Sequence, residues 1–268
     1  MGASLLLVGC GKMGGALLTG WYAAGMASRV VVVEPSGAPQ GDLPEAVEIV
    51  ADAEAIPADF QPDAVILAVK PQVMDQVAPA YRRFTGQAVF LSIAAGKTIA
   101  YFENRLGRMA AIVRAMPNTP AAVGRGITVA VANRHVHDAA RDLCDRLLAA
   151  VGEVAWVEEE GLLDAVTAVS GSGPAYVFLL AETLARAGAA AGLPAELAAR
   201  LARSTVAGAG ELLHRSPEPA EQLRRNVTSP NGTTQAALDV LMAPDDGLAA
   251  LLERAVAAAA RRSRELAG

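Results

Sequence analysis

The sequence predicts an α/β fold in two parts: a doubly wound, mostly parallel sheet over residues 1–158, then an all-helical domain over residues 159–268. Three observations carry this expectation. Short Val- and Ile-rich apolar runs recur through the first half, with helical or turn-like spacing between several of them. After about residue 160 no such runs follow, and long Ala, Leu, Glu and Arg stretches take over. The first apolar run passes through a glycine-rich turn straight into a helical pattern.

The predicted strands cover residues 5–8, 30–33, 64–69, 89–93, 110–113, 127–132 and 154–157. Near-continuous apolar strands suit a parallel sheet covered on both faces, and right-handed crossovers then wind the chain about it. The direction of pairing beyond the first five strands is left open. The predicted helices cover 174–190, 194–214, 219–226, 233–242 and 247–266, with Pro174, Pro194 and Pro219 each placed in a first turn. Val177, Leu180, Ala181 and Leu184 recur at three- and four-residue spacing, which predicts one buried stripe. The acidic turn at 158–160 marks the domain boundary.

Composition narrows the function. A net charge of −5 with no basic run argues against a nucleic-acid partner. Arg261, Arg262 and Arg264 read as the positive end of a last helix. Cys10 and Cys144 make no disulfide framework, so reduced thiols and a cytoplasmic location are expected. The first apolar run breaks after Val8, unlike a signal peptide, and no 18 apolar residues run without a charge or glycine, so no membrane partner is expected. His135, His137 and His214 lie apart from the motifs below, with neither metal-ligand spacing nor a Ser-His-Asp order, and no metal is expected.

The strand at 5–8 runs into Gly9-Cys10-Gly11-Lys12-Met13-Gly14. Gly9 allows the tight turn, Gly11 lets backbone approach a pyrophosphate, and Gly14 lets the helix pack on the strand. The helix N-terminus then presents N–H groups and a positive dipole end to phosphate, so a Rossmann-like dinucleotide site is expected here. Glu34 ends the second strand 20 residues beyond Gly14. A carboxylate there accepts hydrogen bonds from the ribose hydroxyls of NAD and repels the 2′-phosphate of NADP, and no Arg or Lys follows until Lys70. This favours NADH over NADPH. An ordinary exposed acid at a strand end is the competing reading.

Ala68, Val69, Lys70 and Pro71 close the third predicted strand at the crevice edge, where Lys70 either reaches cofactor or is simply solvated. Ala94, Ala95 and Gly96 follow the fourth, small enough for nicotinamide to lie against backbone. Further on, Ser170-Gly171-Ser172-Gly173-Pro174 opens the first long helix, either as a close-packing segment or as a flexible turn with an N-cap serine. The segment 228–234, with Ser229, Gly232, Thr233 and Thr234, offers N–H groups and hydroxyls at a helix start, a place for a carboxylate. Simple helix capping explains the two threonines equally well.

Taken together, VGCGKMGGA from Val8, LAVKPQ from Leu67, SIAAG from Ser92, RAMPNTP from Arg114, SGSGPAY from Ser170 and NVTSPNGTT from Asn226 resemble pyrroline-5-carboxylate reductases over essentially the full length. The resemblance implies a helical C-terminal dimerisation domain, association as a dimer or ring of dimers, and a small-molecule substrate, 1-pyrroline-5-carboxylate, reduced to L-proline by NADPH or NADH. It implies that Gly232, Thr233 and Thr234 cradle the substrate carboxylate and that the Thr234 hydroxyl meets the ring nitrogen. Asn226 would touch the cofactor, and Glu160 would lie near the substrate of a neighbouring subunit. One departure stands out: the family usually carries two glycines after Ser-Pro, and here the first is Asn231. Asparagine tolerates φ > 0, so the turn is expected to survive. Three alternatives are a reductase of another cyclic imine, a hydroxyacid dehydrogenase and a non-catalytic dinucleotide-binding protein. The dehydrogenases of this plan present a lysine on the first helix of the second domain, and 173–192 contains none.

Overall fold

The computed structural model describes residues 2–37 and 47–267, which part into two compact units: Met1–Gly171 with Ala260–Gly268, and Ser172–Ala259. The first unit holds strands β1 (Ala3–Val8), β2 (Ala27–Val33), β3 (Val47–Val50), β4 (Ala64–Leu67), β5 (Val89–Ser92), β6 (Ile112–Met116), β7 (Gly126–Ala132) and β8 (Gly152–Trp156). Its helices are α1 (Lys12–Ala23), the short α2 (Met74–Val77), α3 (Ile99–Leu106), α4 (Asp138–Ala149) and α5 (Leu162–Val166). The eight strands form one sheet in the order β3-β2-β1-β4-β5-β6-β7-β8.

Six strands run parallel, and their alternating side chains divide between two cores. Leu5, Leu7, Val30 and Val32 pack with Trp21, Leu17 and Leu147 on one face. Leu6, Val8, Val31 and Val33 pack with Phe102, Leu106 and Tyr81 on the other. Burial on both faces is why these strands read as unbroken apolar runs. Trp21 donates its indole N–H to the Leu147 carbonyl at 2.8 Å, so the largest core side chain leaves no polar atom unpaired. β7 pairs antiparallel with β6, and β8 parallel with β7. Only residues 117–125 join β6 to β7, too few for the crossover that a parallel pair needs. The sequence reading missed β3, a four-residue, half-exposed strand with Glu48 at its centre.

The second unit contains α6 (Gly173–Ala190), α7 (Ala195–Arg215), α8 (Ala220–Asn226), α9 (Thr233–Leu241) and the first part of α10 (Leu248–Ala267). Three expectations need correction. Pro194 and Pro219 precede their helices in extended backbone, and only Pro174 sits in a first turn. Ser172 is helical and caps nothing with its side chain, because α5 continues through a π-helical turn, Thr167–Gly171, into α6. The stripe on α6 is not buried within the chain: Val177, Leu180 and Leu184 are exposed, and the neighbouring Phe178 is 68% exposed. The continuous helical stretch Leu162–Ala190 is also long and apolar enough to cross a membrane by those two measures alone. Small residues let α6 and α7 approach, with Gly188 lying against Leu193 and Ala198.

Candidate active site

In the first unit the strand order reverses between β1 and β4, so the carboxyl ends of these neighbours open the crevice where sheets of this type bind ligands. The glycine loop turns there. Gly9 has φ +88°, and a Cβ on it would lie 2.8 Å from Val69 Cγ1 and 3.0 Å from the Val69 nitrogen. A Cβ on Gly14 would lie 2.4 Å from the Gly9 carbonyl, so α1 packs against the loop only as long as that residue is glycine. Gly11 is the N-cap of α1, with no side chain capping the first turn, and a Cβ there would meet nothing within 4 Å. Lys12 and Met13 begin the helix.

Glu34 follows β2 and turns its carboxylate onto this loop. Oε2 accepts the Cys10 N–H at 2.8 Å, and Oε1 accepts the Ser36 N–H at 3.3 Å and its hydroxyl. Partial burial raises the Glu34 pKa, but the Ser36 hydroxyl and the two N–H groups outweigh it, so the acid is held below its ordinary value. It is an anion at neutral pH. The buried Cys10 thiol is pushed up, first by burial and then by the Glu34 charge, so it stays protonated.

The other crevice segments follow their strands. Ala68 and Val69 are half-buried behind β4, and Lys70 is exposed just before a 3₁₀ turn, Pro71–Val73. Behind β5, the Ala94 N–H donates to Ser92 Oγ at 3.3 Å, and Ala95 leads into Gly96 at φ +74°. The Leu266 carbonyl would lie 3.2 Å from a Cβ on Gly96, so the last turns of α10 close over this loop. Ser263 anchors those turns by donating to Asp164 at 2.6 Å.

Glu160 has two partners that the sequence did not reveal. Its Oε1 accepts both an Arg114 N–H and the backbone N–H of Ile99, each at 2.8 Å. Arg114 is only 6% exposed. Asn118 was likewise unassigned. It accepts the Ile127 N–H at 3.0 Å and donates to Ser170 Oγ at 3.2 Å, while Met116 Cε fills the space in which Gly171 would carry a Cβ, 2.5 Å away.

The second unit holds the remaining candidates. Asn231 is the one positive-φ residue other than glycine among the described residues, at +60°, and the turn it makes lets the Gly232 N–H donate to the Ser229 carbonyl at 3.0 Å. Gly232 is the N-cap of α9, with no side chain capping the helix, and Thr233 and Thr234 form the first turn. Neither threonine is therefore the cap. Asn226 accepts from Gln222 at 2.7 Å and donates to Glu218 at 3.0 Å. Glu218 was not anticipated, because nothing in its local sequence points eight residues ahead. The structure thus gathers Gly9–Gly14, Glu34, Ala68–Pro71, Ala94–Gly96 and Glu160 in the first unit, and Asn226, Ser229 and Gly232–Thr234 in the second.

Known proteins resemble the chain along nearly its whole length. The family described as pyrroline-5-carboxylate reductase dimerisation matches residues 160–266, and that described as NADP oxidoreductase coenzyme F420-dependent matches residues 4–96. A pyrroline-5-carboxylate reductase of Pseudomonas aeruginosa is 43% identical, over 98% of this chain and 96% of its own. One from Synechocystis is 39% identical over 99% of both. Among solved structures, the pyrroline-5-carboxylate reductase of Coxiella burnetii superposes with a TM-score of 0.91 at 34% identity, covering 100% of both chains. The NADP-bound pyrroline carboxylate reductase of Plasmodium falciparum superposes with a TM-score of 0.82 at 28% identity, covering 99% of this chain and 98% of its own.

Proposed function

The chain belongs to the pyrroline-5-carboxylate reductases, and from that premise we propose how its own residues divide the work. It is an NAD(P)H-dependent oxidoreductase that reduces 1-pyrroline-5-carboxylate to L-proline, the last step of proline biosynthesis. In our reading residues 1–158 hold the dinucleotide and residues 159–268 hold the substrate and a second copy of the chain. The observation that carries it is a pair of helix starts without side-chain caps, Gly11 on α1 and Gly232 on α9, each suited to an anion.

The crevice fits a dinucleotide. The first N–H groups of α1 have no intrahelical acceptor and no side-chain cap, and no protein atom would meet a Cβ on Gly11, so a pyrophosphate can approach the backbone there. Gly9, Cys10, Gly11, Lys12, Met13 and Gly14 would hold the phosphates, Glu34 the ribose hydroxyls, and Ala68, Val69, Lys70, Pro71, Ala94, Ala95 and Gly96 the rest; Asn226 is a further proposed cofactor residue. When bound, the reduced nicotinamide supplies a hydride. The ionised Glu34 favours NADH over NADPH, because a 2′-phosphate beside it places like charges together.

On the substrate side, the α9 start binds the carboxylate through the backbone of Gly232, Thr233 and Thr234 beside Ser229, and the Thr234 hydroxyl hydrogen-bonds the ring nitrogen. An imine that is already protonated needs no dedicated acid, so the protein's contribution is to orient two reactants. The exposed apolar stripe of α6 is covered by a second copy rather than by lipid, as a dimer or a ring of dimers. The buried, unpaired Cys10 and Cys144 suit a reducing cytoplasm.

The test follows the loss of near-ultraviolet nicotinamide absorbance with 1-pyrroline-5-carboxylate, for the parent chain and for Thr234→Ala. Turnover by the parent and a loss of at least about tenfold in kcat/KM for the variant are expected if one transition-state hydrogen bond is removed. Full activity in the variant would remove Thr234 from the mechanism.

A further inference from the structure

Glu160 stands 46 residues from Arg114 and 61 from Ile99, yet one of its oxygens meets both, each at 2.8 Å. Each partner explains part of the arrangement. Arg114 is the middle residue of β6 and is almost wholly buried, so its charge needs a fixed counterion. Ile99 is the first residue of α3, and its N–H has no intrahelical acceptor. The Thr98 hydroxyl takes the Tyr101 N–H at 3.1 Å, and Glu160 takes that of Ile99, so a remote carboxylate shares the capping of this helix. The three residues before Thr98 include Ala95 and Gly96, in the loop on which the nicotinamide is proposed to lie.

We infer that Glu160, held by Arg114, is a positioning residue that fixes the Ala94–Gly96 loop through the start of α3, rather than a group that touches substrate. The loop has other supports, among them the last turns of α10 over Gly96 and an ion pair of Lys97 with Asp75 at 3.9 Å. Its upstream end is tied by a 3.3 Å bond from the Ala94 N–H to Ser92, and Gly96 sits at φ +74°, where backbone restrains itself little. At the downstream end the Glu160 carboxylate adds a charge-assisted acceptor for the first N–H of α3. Glu160 reaches the loop by length as well as charge. An amide of the same length keeps an acceptor for both donors, while a carboxylate one methylene shorter cannot reach both.

This inference rests on the dinucleotide crevice proposed above. The experiment measures NADH affinity by nicotinamide fluorescence on the full-length protein, alongside the KM for 1-pyrroline-5-carboxylate at saturating NADH and the Tm. Glu160→Ala and Glu160→Asp are expected to weaken NADH binding about tenfold, the loss of one charge-assisted hydrogen bond, while Glu160→Gln, which keeps the acceptor but leaves the buried Arg114 without a counterion, should lower Tm yet weaken NADH binding less than Asp. Substrate KM should stay level throughout. Should the alanine variant not fold, the contrast between Asp and Gln carries the same information. A raised substrate KM with unchanged NADH affinity would overturn the inference in favour of direct substrate contact. A lowered Tm with both affinities unchanged would reduce the pair to a structural brace. No NADH binding by the parent chain would instead sink the dinucleotide reading itself.

Discussion

Asn231 holds φ at +60° in the turn that delivers Gly232, Thr233 and Thr234 to the start of α9. In this left-handed region an ordinary L side chain costs roughly 1–2 kcal/mol, glycine nothing, and asparagine less than most because its short amide bonds locally. Asn231→Ala should therefore disfavour the native turn by about 1 kcal/mol, a factor of about five in its equilibrium constant. On the proposal that the turn aims backbone N–H groups at the substrate carboxylate, the expected result is a KM raised by up to about fivefold with kcat altered less. Asn231→Val, β-branched and less tolerant of positive φ, should be worse than alanine. Asn231→Gly keeps the conformation and should stay within about twofold of the parent KM, with relief of the positive-φ strain offsetting the freer unfolded chain so that stability stays within about 0.5 kcal/mol of the parent. Steady-state kinetics and thermal melts on the three variants provide the assay. An alanine variant with the parental KM would refute the backbone argument, and a glycine variant as impaired as alanine would show that the asparagine side chain itself contacts substrate.

Three further outcomes are expected. Glu34→Gln removes the anion proposed to oppose a 2′-phosphate, and like charges at about 4 Å cost about 1 kcal/mol in water and about 4 at a protein surface. The ratio of kcat/KM for NADPH to that for NADH should therefore rise at least about fivefold, and an unchanged ratio would discard Glu34 as the selector. Gly14→Ala would drive a Cβ to 2.4 Å from the Gly9 carbonyl, so α1 must shift. Melting and NADH titration should show a loss of about 1–3 kcal/mol in stability together with weaker cofactor binding. If both are parental, the loop is looser than the structure implies. Phe178→Glu on the exposed stripe of α6 should shift the chain toward monomer in sedimentation or light scattering, because a buried unpaired charge at an interface is costly. An unchanged mass would move the interface elsewhere.

What could be read from the sequence was whatever local rules enforce. Strands buried on both faces must be apolar throughout, so the β1, β2, β4 and β5 runs announced themselves. The glycine loop was legible because Gly9 and Gly14 occupy positions that admit no Cβ, and the Asn231 turn because few residues other than glycine accept φ near +60°. The short edge strand β3 escaped because four half-exposed residues carry too little pattern. The apolar stripe of α6 was visible, but the sequence could not say whether this chain or a second copy covers it.

The partners of polar side chains were decided by the tertiary structure alone. Arg114 and Glu160 look like two unrelated charges in a string of letters. They meet because the folded chain brings the middle of β6 beside the turn before α5, and the start of α3 lies close enough for the N–H of Ile99 to join them. Glu34 was read as reaching outward for a ribose, and folding also brings it within 2.8 Å of the Cys10 N–H, 24 residues away. Periodicity and backbone preference act over a few residues and leave their mark in the sequence. A buried charge or an unpaired N–H is satisfied by whichever group the packing of the whole domain delivers, and only the folded chain fixes which one that is.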